Sequence, residues 1–301
     1  MTSSENRVSI TDVTLRDGLQ IQPVLVDLRT KLAVLAGLSA AGIRSFEVGS
    51  FVSPTLVPQM ADTAALFEAL TRRSDTSYAA LVPNLRGAER AAAAGVTEVR
   101  VVLSASEGHS QSNTHRSVTD GLDAAAAVVT FLRSRGIAVS VAVATAFVCP
   151  FDGVTPVQQV EEIVGSLVGV GVTDVVLADT IGRADPAHVG RLTDAMLSQF
   201  PQATFGLHLH NTYGMGLAGV ATGLEHGITR FDAALGGIGG CPFAPGAAGN
   251  VATEDVVHML ELMGHSTGID LAALAGAAAL LHEGILAPLD SAVARALAWV
   301  G

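Results

Sequence analysis

Runs rich in Val and Ile recur eight times along this chain, at Val8–Val13, Ile43–Val48, Ser77–Val82, Glu98–Leu103, Ala138–Ala144, Asp174–Ala178, Thr204–His210 and Arg230–Leu235, with Ala/Leu-rich amphipathic stretches between them. Short apolar runs separated by helix-length intervals read as parallel strands, because parallel neighbours need a crossover rather than a hairpin. Gly42, Gly95, Gly136, Gly171 and Gly227 stand where a helix would stop and the next strand begin. Eight βα units in series close into an α/β (β/α)8 TIM barrel, which takes ~250 residues as one domain. The 301 residues therefore read as a single catalytic barrel domain, 1–301. A helix from about Thr253 and an Ala/Leu-rich tail from Leu271 form a C-terminal helical extension over about 253–301. An open doubly wound sheet is the competing architecture, but the first strand leads into TLRDGLQ and not into a glycine-rich phosphate loop.

With 49% hydrophobic and 15% charged residues the chain can bury a large core, which excludes a disordered linker. Seventeen Lys and Arg against 28 Asp and Glu give a net charge of −11 with no basic cluster, so neither nucleic acid nor an anionic membrane surface is an expected partner. The longest apolar stretch, Ile137 to Phe151, falls short of the ~20 residues that span a bilayer. MTSSENRVSI carries no export or import pattern, so a cytoplasmic location is expected, with Cys149 and Cys241 as free thiols. The apolar tail offers a surface for a homo-oligomer.

On a βα barrel the chemistry sits at the C-terminal strand ends, and polar residues gather there. They are Arg16, Asp17 and Gln20 after the first strand, Glu47 on the second, Asp179 and Thr180 after the sixth, and His208, His210 and Asn211 on the seventh. Cys241, Asn250 and Glu254 follow the eighth. His208 and His210 lie two apart, so both imidazoles leave one face of a strand and can converge on a divalent ion. An isolated HxH is as readily one packed histidine beside one hydrogen-bonded at a strand end. Asp17 can add a carboxylate oxygen and Asn250 an amide oxygen, although RDG also reads as a turn and GAAGN as a left-handed loop. Arg16 brings a fixed charge suited to an enolate or carboxylate oxygen, and a buried Arg needs an acidic partner such as Glu47. Cys241 lies in GGIGGCPFAPG, a loop able to close over a ligand or simply to bury an inert thiol. Cys149, before Pro150 at the end of strand five, reads as packing. His109 and His115, in the polar loop SASEGHSQSNTHRS after strand four, serve equally well as substrate contacts or surface histidines.

TLRDGLQ, FEVGSFVSPTLVPQMAD, LADTIG, HLHNTYG and GGIGGCPFAPGAAGNVATEDVVHML occur in that order. In these segments, and over nearly its whole length, the chain resembles the 3-hydroxy-3-methylglutaryl-CoA (HMG-CoA) lyases among the metal-dependent barrel lyases and synthases. The resemblance implies retro-Claisen cleavage of an acyl-CoA to acetyl-CoA and acetoacetate. It assigns Asp17, His208, His210 and Asn250 to a divalent metal, Mg²⁺ or Mn²⁺ by family habit, although two imidazoles also suit Zn²⁺. Arg16 would stabilise the enolate, and Cys241 or His208 would deliver a proton. Glu47, Asp179 and Glu254 would support the metal or the acid/base chemistry, while Gln20 and Thr180 would line the site. Asn211, where the family often has Asp, and the segment GHSQSNTHRSV leave the acyl chain open to other 3-hydroxy-3-alkylglutaryl groups. A Claisen-condensing synthase of the same superfamily is the alternative, and the short stretch after the barrel counts against it.

Overall fold

The computed structural model describes residues 7–240, 249–286 and 289–298. Eight parallel strands form a closed barrel in chain order: β1 (Ser9–Asp12), β2 (Ser45–Ser50), β3 (Ser77–Val82), β4 (Glu98–Ser104), β5 (Ala138–Ala144), β6 (Asp174–Asp179), β7 (Thr204–Leu209) and β8 (Arg230–Ala233). Closure runs through β1 and β8, with Ser9 opposite Arg230 and Asp12 opposite Ala233. The fold is a TIM barrel, and every strand lies within two residues of its expected limits.

The outer layer comprises α1 (Leu28–Ala40), α2 (Thr63–Ala69), α3 (Leu85–Ala93), α4 (Glu107–Thr114), α5 (Val118–Arg133), α6 (Val157–Gly169), α7 (Pro186–Gln199), α8 (Gly216–Glu225) and α9 (Thr253–Leu262). Side-chain caps start several of them: Asp27, Asn84, Ser117 and Asp185 accept the backbone N–H of Thr30, Gly87, Asp120 and His188. The five expected stop glycines all take positive φ, and at Gly42 (φ 108°) a Cβ would lie 2.3 Å from the Gly268 carbonyl oxygen.

Strand alternation turns one set of side chains outward and the other toward the barrel interior. On β7, Leu207 and Leu209 meet α8 at Gly223 and Gly219, where an added Cβ would come within 2.4 and 2.9 Å of those leucines. The intervening His208 and His210 are thereby directed inward, so close helix–strand packing positions the polar residues of the mouth.

Two expectations are corrected. The polar segment after β4 is the helix α4 and not a loop. Strand five ends at Ala144, so Cys149 lies beyond it on a short hairpin, Val148–Cys149 paired with Gly153–Val154, where its thiol is buried and accepts the backbone N–H of Phe151 and Asp152 at 3.3 Å.

The C-terminal extension holds α10 (Leu271–Ile285) and α11 (Ala292–Ala298). α10 packs on α1 through small residues, a Cβ on Gly37 lying 3.1 Å from that of Ala277. α11 starts on Asp255 of α9, whose carboxylate accepts Ser291 Oγ–H at 2.7 Å and Val293 N–H at 2.9 Å. No helix among the described residues is long and apolar enough to cross a membrane.

Candidate active site

β1 ends in a π-helical turn, Thr14–Gly18, which carries Arg16 and Asp17 over the barrel mouth. Such wide turns recur at functional sites because they re-aim side chains that a regular helix would scatter. The Arg16 Nε–H donates to Glu47 Oε1 and its Nη1–H to Asp17 Oδ1, so the guanidinium is gripped on two sides. Glu47, fully buried on β2, also faces Arg100 of β4, with Nη1 2.9 Å from Oε2. Arg100 in turn donates to Asp232 on β8. Asp232 Oδ2 lies 3.1 Å from His208 Nδ1, and His208 Nε2 lies 3.9 Å from Asp17 Oδ2. Arg16, Glu47, Arg100 and Asp232 thus alternate in charge beneath the mouth, and His208 links Asp232 to Asp17.

Asp17, His208 and His210 converge, their ligand atoms all within 4.8 Å of one another. His208 Nε2 and His210 Nε2 are 3.1 Å apart, and Asp17 Oδ2 is 3.5 Å from His210 Nε2. Ligands at right angles on a cation with bonds of about 2.1 Å sit roughly 3 Å apart, so this spacing suits a divalent ion. The donors fit as well. Asp232 takes the proton on His208 Nδ1, which turns the Nε2 lone pair toward the cluster. Three carboxylates (Asp17, Glu47, Asp232) against two guanidiniums (Arg16, Arg100) leave one surplus negative charge. Among the buried polar atoms of the described residues that lack a hydrogen-bond partner are His210 Nδ1 and Asn250 Oδ1.

Asn250 reaches the cluster because the segment after the loop pairs with the end of β7, Asn211 N–H to Gly249 O at 2.9 Å and Val251 N–H to Leu209 O at 3.1 Å. Its Nδ2–H donates to Asp17 Oδ2 at 2.8 Å and to Ile238 O at 3.0 Å. Gly239 (φ 116°) admits this approach, since a Cβ there would stand 2.5 Å from Asn250 Nδ2.

The electrostatics follow the contacts. Burial pushes the Asp17 carboxyl up, but the neighbouring Arg16 with His210 and His208 outweighs it and holds the group well below the carboxylate range. Burial likewise raises Asp232, and Arg100 with His208 brings it down to about 2. Arg100 loses basicity to burial and regains more from Asp232 and Glu47, so it stays charged.

A cavity of about 240 Å³ opens over this cluster, lined by Arg16, Gln20, Arg100, Thr180, the two histidines and residues of α4. Thr180 Oγ1 accepts the Thr145 N–H at 2.7 Å. Thr145 itself is fully buried with φ 54°, a strained setting for a β-branched residue. Two expected residues are occupied elsewhere. The Asp179 carboxylate accepts the backbone N–H of Arg183 and Ala184, and that of Glu254 accepts Gly236 N–H through both oxygens; neither lines the cavity. Cys241 lies outside the described residues.

Arg100 and Asp232, integral to this alternation of charge, escaped the sequence reading. The available signal was a charge at alternating positions inside apolar strands, VRV and FDA, which a lumen-facing register turns inward.

A family model described as HMGL-like matches residues 7–281. The chain belongs to the HMGL-like family. It is accordingly an enzyme of the carbon–carbon lyase class. Among HMGL-like relatives, the (R)-citramalyl-CoA lyase of Chloroflexus aurantiacus is 42% identical over 299 residues, covering 96% of this chain and 94% of that one. The hydroxymethylglutaryl-CoA lyase YngG of Bacillus subtilis is 39% identical over 285 residues, 95% of each chain. The structure of an HMG-CoA lyase from Acinetobacter baumannii, in complex with coenzyme A and 3-methylmalate, superposes with a TM-score of 0.93 at 40% identity, covering 98% of this chain and 97% of that one.

Proposed function

We propose that this HMGL-like chain cleaves a short 3-hydroxy-3-methyl acyl-CoA, with HMG-CoA as the leading substrate and acetyl-CoA and acetoacetate as products. The observation that carries the reading is Arg16 standing beside the Asp17–His208–His210 cluster in one small cavity. The substrate is left between HMG-CoA and its close analogues, since relatives of nearly equal identity are named for HMG-CoA and for (R)-citramalyl-CoA.

Asp17, His208 and His210 would hold a divalent cation, Mg²⁺ or Mn²⁺, with Asn250 joining them once its amide turns Oδ1 inward in place of Nδ2. When bound, the cation supplies a Lewis acid that favours ionisation of the substrate's tertiary hydroxyl. Loss of that proton lets the C2–C3 bond break, its electron pair passing to the thioester as an enolate while C3 becomes a ketone. Arg16 opposes the charge that develops on the enolate oxygen, and its grip on Glu47 and Asp17 means it need not reorganise to do so. Cys241, by family resemblance, would protonate the enolate carbon, since His208 has Nε2 committed to the cation and Nδ1–H to Asp232. Gln20 and Thr180 position the acyl group from the wall, Glu47 orients Arg16, and Asp179 and Glu254 hold the loops that shape the mouth.

The test is a coupled assay on protein stripped of metal and reloaded with Mg²⁺, Mn²⁺ or Zn²⁺. Acetoacetate release from HMG-CoA that depends on added metal is the expected result. Release of pyruvate from citramalyl-CoA alone would move the substrate, and thiol release from acetyl-CoA with 2-oxo acids would replace the lyase by a synthase.

A further inference from the structure

Asp17, His208 and His210 line the cavity from the turn after β1 and the end of β7, and that side says little about which acyl group enters. The opposite side is built differently. Helix α4 contributes His109, Asn113 and Thr114 to the lining, while Leu81, Pro83 and Val102 add apolar wall. His109 is 3% exposed, and its Nδ1 sits 2.7 Å from the Ser104 hydroxyl at the end of β4. This contact ties the imidazole to the barrel and fixes it in the roof. Burial pushes the ring down to about 4, so it is neutral under ordinary conditions.

α4 is itself anchored from outside. The Asp152 carboxylate, on the hairpin after β5, accepts the Gly108 N–H at 2.7 Å, and an added Cβ at Gly108 would lie 2.5 Å from that carboxylate. Ser106, just before α4, bonds Thr145 through their hydroxyls at 2.9 Å, which links the helix start to the strained turn after β5. These contacts tie the start of α4 to the hairpin and to the turn after β5. A cavity of about 240 Å³ has the liquid volume of roughly eight waters, so a longer branch needs room that α4 would have to yield.

We propose that His109 is the specificity-determining residue of this lyase, a fixed roof that admits acyl groups carrying a methyl or similarly small branch at C3 and rejects long alkyl branches. The inference rests on the lyase reading above and assigns its substrate class. His109 follows β4, which lies across the eight-stranded ring from β8, between the strands that lead to the cluster residues, so a branch on C3 would meet it when the hydroxyl is held at the cluster. Asn113, one helical turn on, lines the same cavity and widens the barrier along α4.

The experiment compares kcat/KM across 3-hydroxy-3-alkylglutaryl-CoA thioesters with methyl, propyl and isohexenyl branches, for the wild type, His109→Ala and His109→Gln. The wild type is expected to prefer methyl over isohexenyl by about 100-fold or more, and His109→Ala to narrow that ratio at least tenfold, as expected when a methylene or two decides the fit. His109→Gln, of similar reach, should keep the wild-type ratio. A ratio unchanged in a folded His109→Ala, judged by its melting temperature, would overturn the proposal. Should the wild type cleave none of the thioesters, the lyase reading fails instead. Calorimetric titration of the matching free diacids into the Mn²⁺-loaded wild type and His109→Ala then decides the roof by itself, equal discrimination in the two proteins counting against it.

Discussion

Asp232 receives two donors, His208 Nδ1–H and the Arg100 guanidinium, so its replacement by Asn tests how far a metal ligand depends on the residue behind it. Asp232→Asn is expected to lower Mn²⁺ affinity by about 10–100-fold, measured by calorimetry; wild-type affinity would show that His208 holds its tautomer unaided. Arg16→Met acts on the chemistry instead. It should lower kcat by roughly 10²–10³-fold while Mn²⁺ still binds, and because Asp17 and Glu47 lose a shared partner it should also melt earlier. Full turnover in that variant would remove Arg16 from the reaction. The histidine pair was legible only in context, since the i, i+2 spacing turns both side chains to one face but alone fits ordinary packing equally well, and it was the strand's place in the barrel that set it at the mouth. Arg100 and Asp232 were not, since each is a lone charge whose partner lies on a strand distant in sequence.

Between strand and loop lies a second buried polar group. Asp12 accepts Thr14 N–H and Oγ–H at 3.1 and 2.8 Å, and Thr14 Oγ1 in turn accepts Leu235 N–H at 2.8 Å. Burial, aided by Glu254, pushes Asp12 from 3.8 up to about 7. A carboxyl that keeps its proton longer in the folded state makes the native protein bind more protons than the unfolded chain, so stability falls as pH rises between 3.8 and about 7. The slope in metal-free protein approaches ~1.4 kcal/mol per pH unit. Urea unfolding of the wild type and Asp12→Asn at pH 5 and pH 7.5 should show a steeper fall of stability in the wild type; equal slopes would mean that Asp12 ionises without penalty. Asp17 and Asp232, held low, act in the opposite sense and only below 3.8. At the α1–β2 junction, Gly42→Ala would set a Cβ against the Gly268 carbonyl at positive φ and should cost more than about 1 kcal/mol, read as a lower denaturation midpoint at unchanged m-value.

For the whole molecule the proposed cation site would couple binding to folding. Ligands drawn from β1 and β7 meet only in the closed barrel, so a metal that binds them stabilises the native state alone. Mn²⁺ at a hundredfold excess over its Kd should add ~2.7 kcal/mol, visible as a raised melting temperature in the wild type and absent in Asp17→Ala. An equal rise in both would place the bound ion elsewhere. The architecture was readable in advance because strand periodicity, crossover length and stop glycines are local signals, and local sterics and apolar patterning decide them residue by residue. The family followed from contiguous motifs for the same reason. Only the tertiary structure decided that α4 lines the cavity, that Asp179 and Glu254 serve backbone amides, and that Arg100 and Asp232 complete the alternation of charge beneath the mouth. Those outcomes depend on which strands become neighbours when the barrel closes and on charges that must pair once they leave water, and neither condition is recorded in any single stretch of the chain.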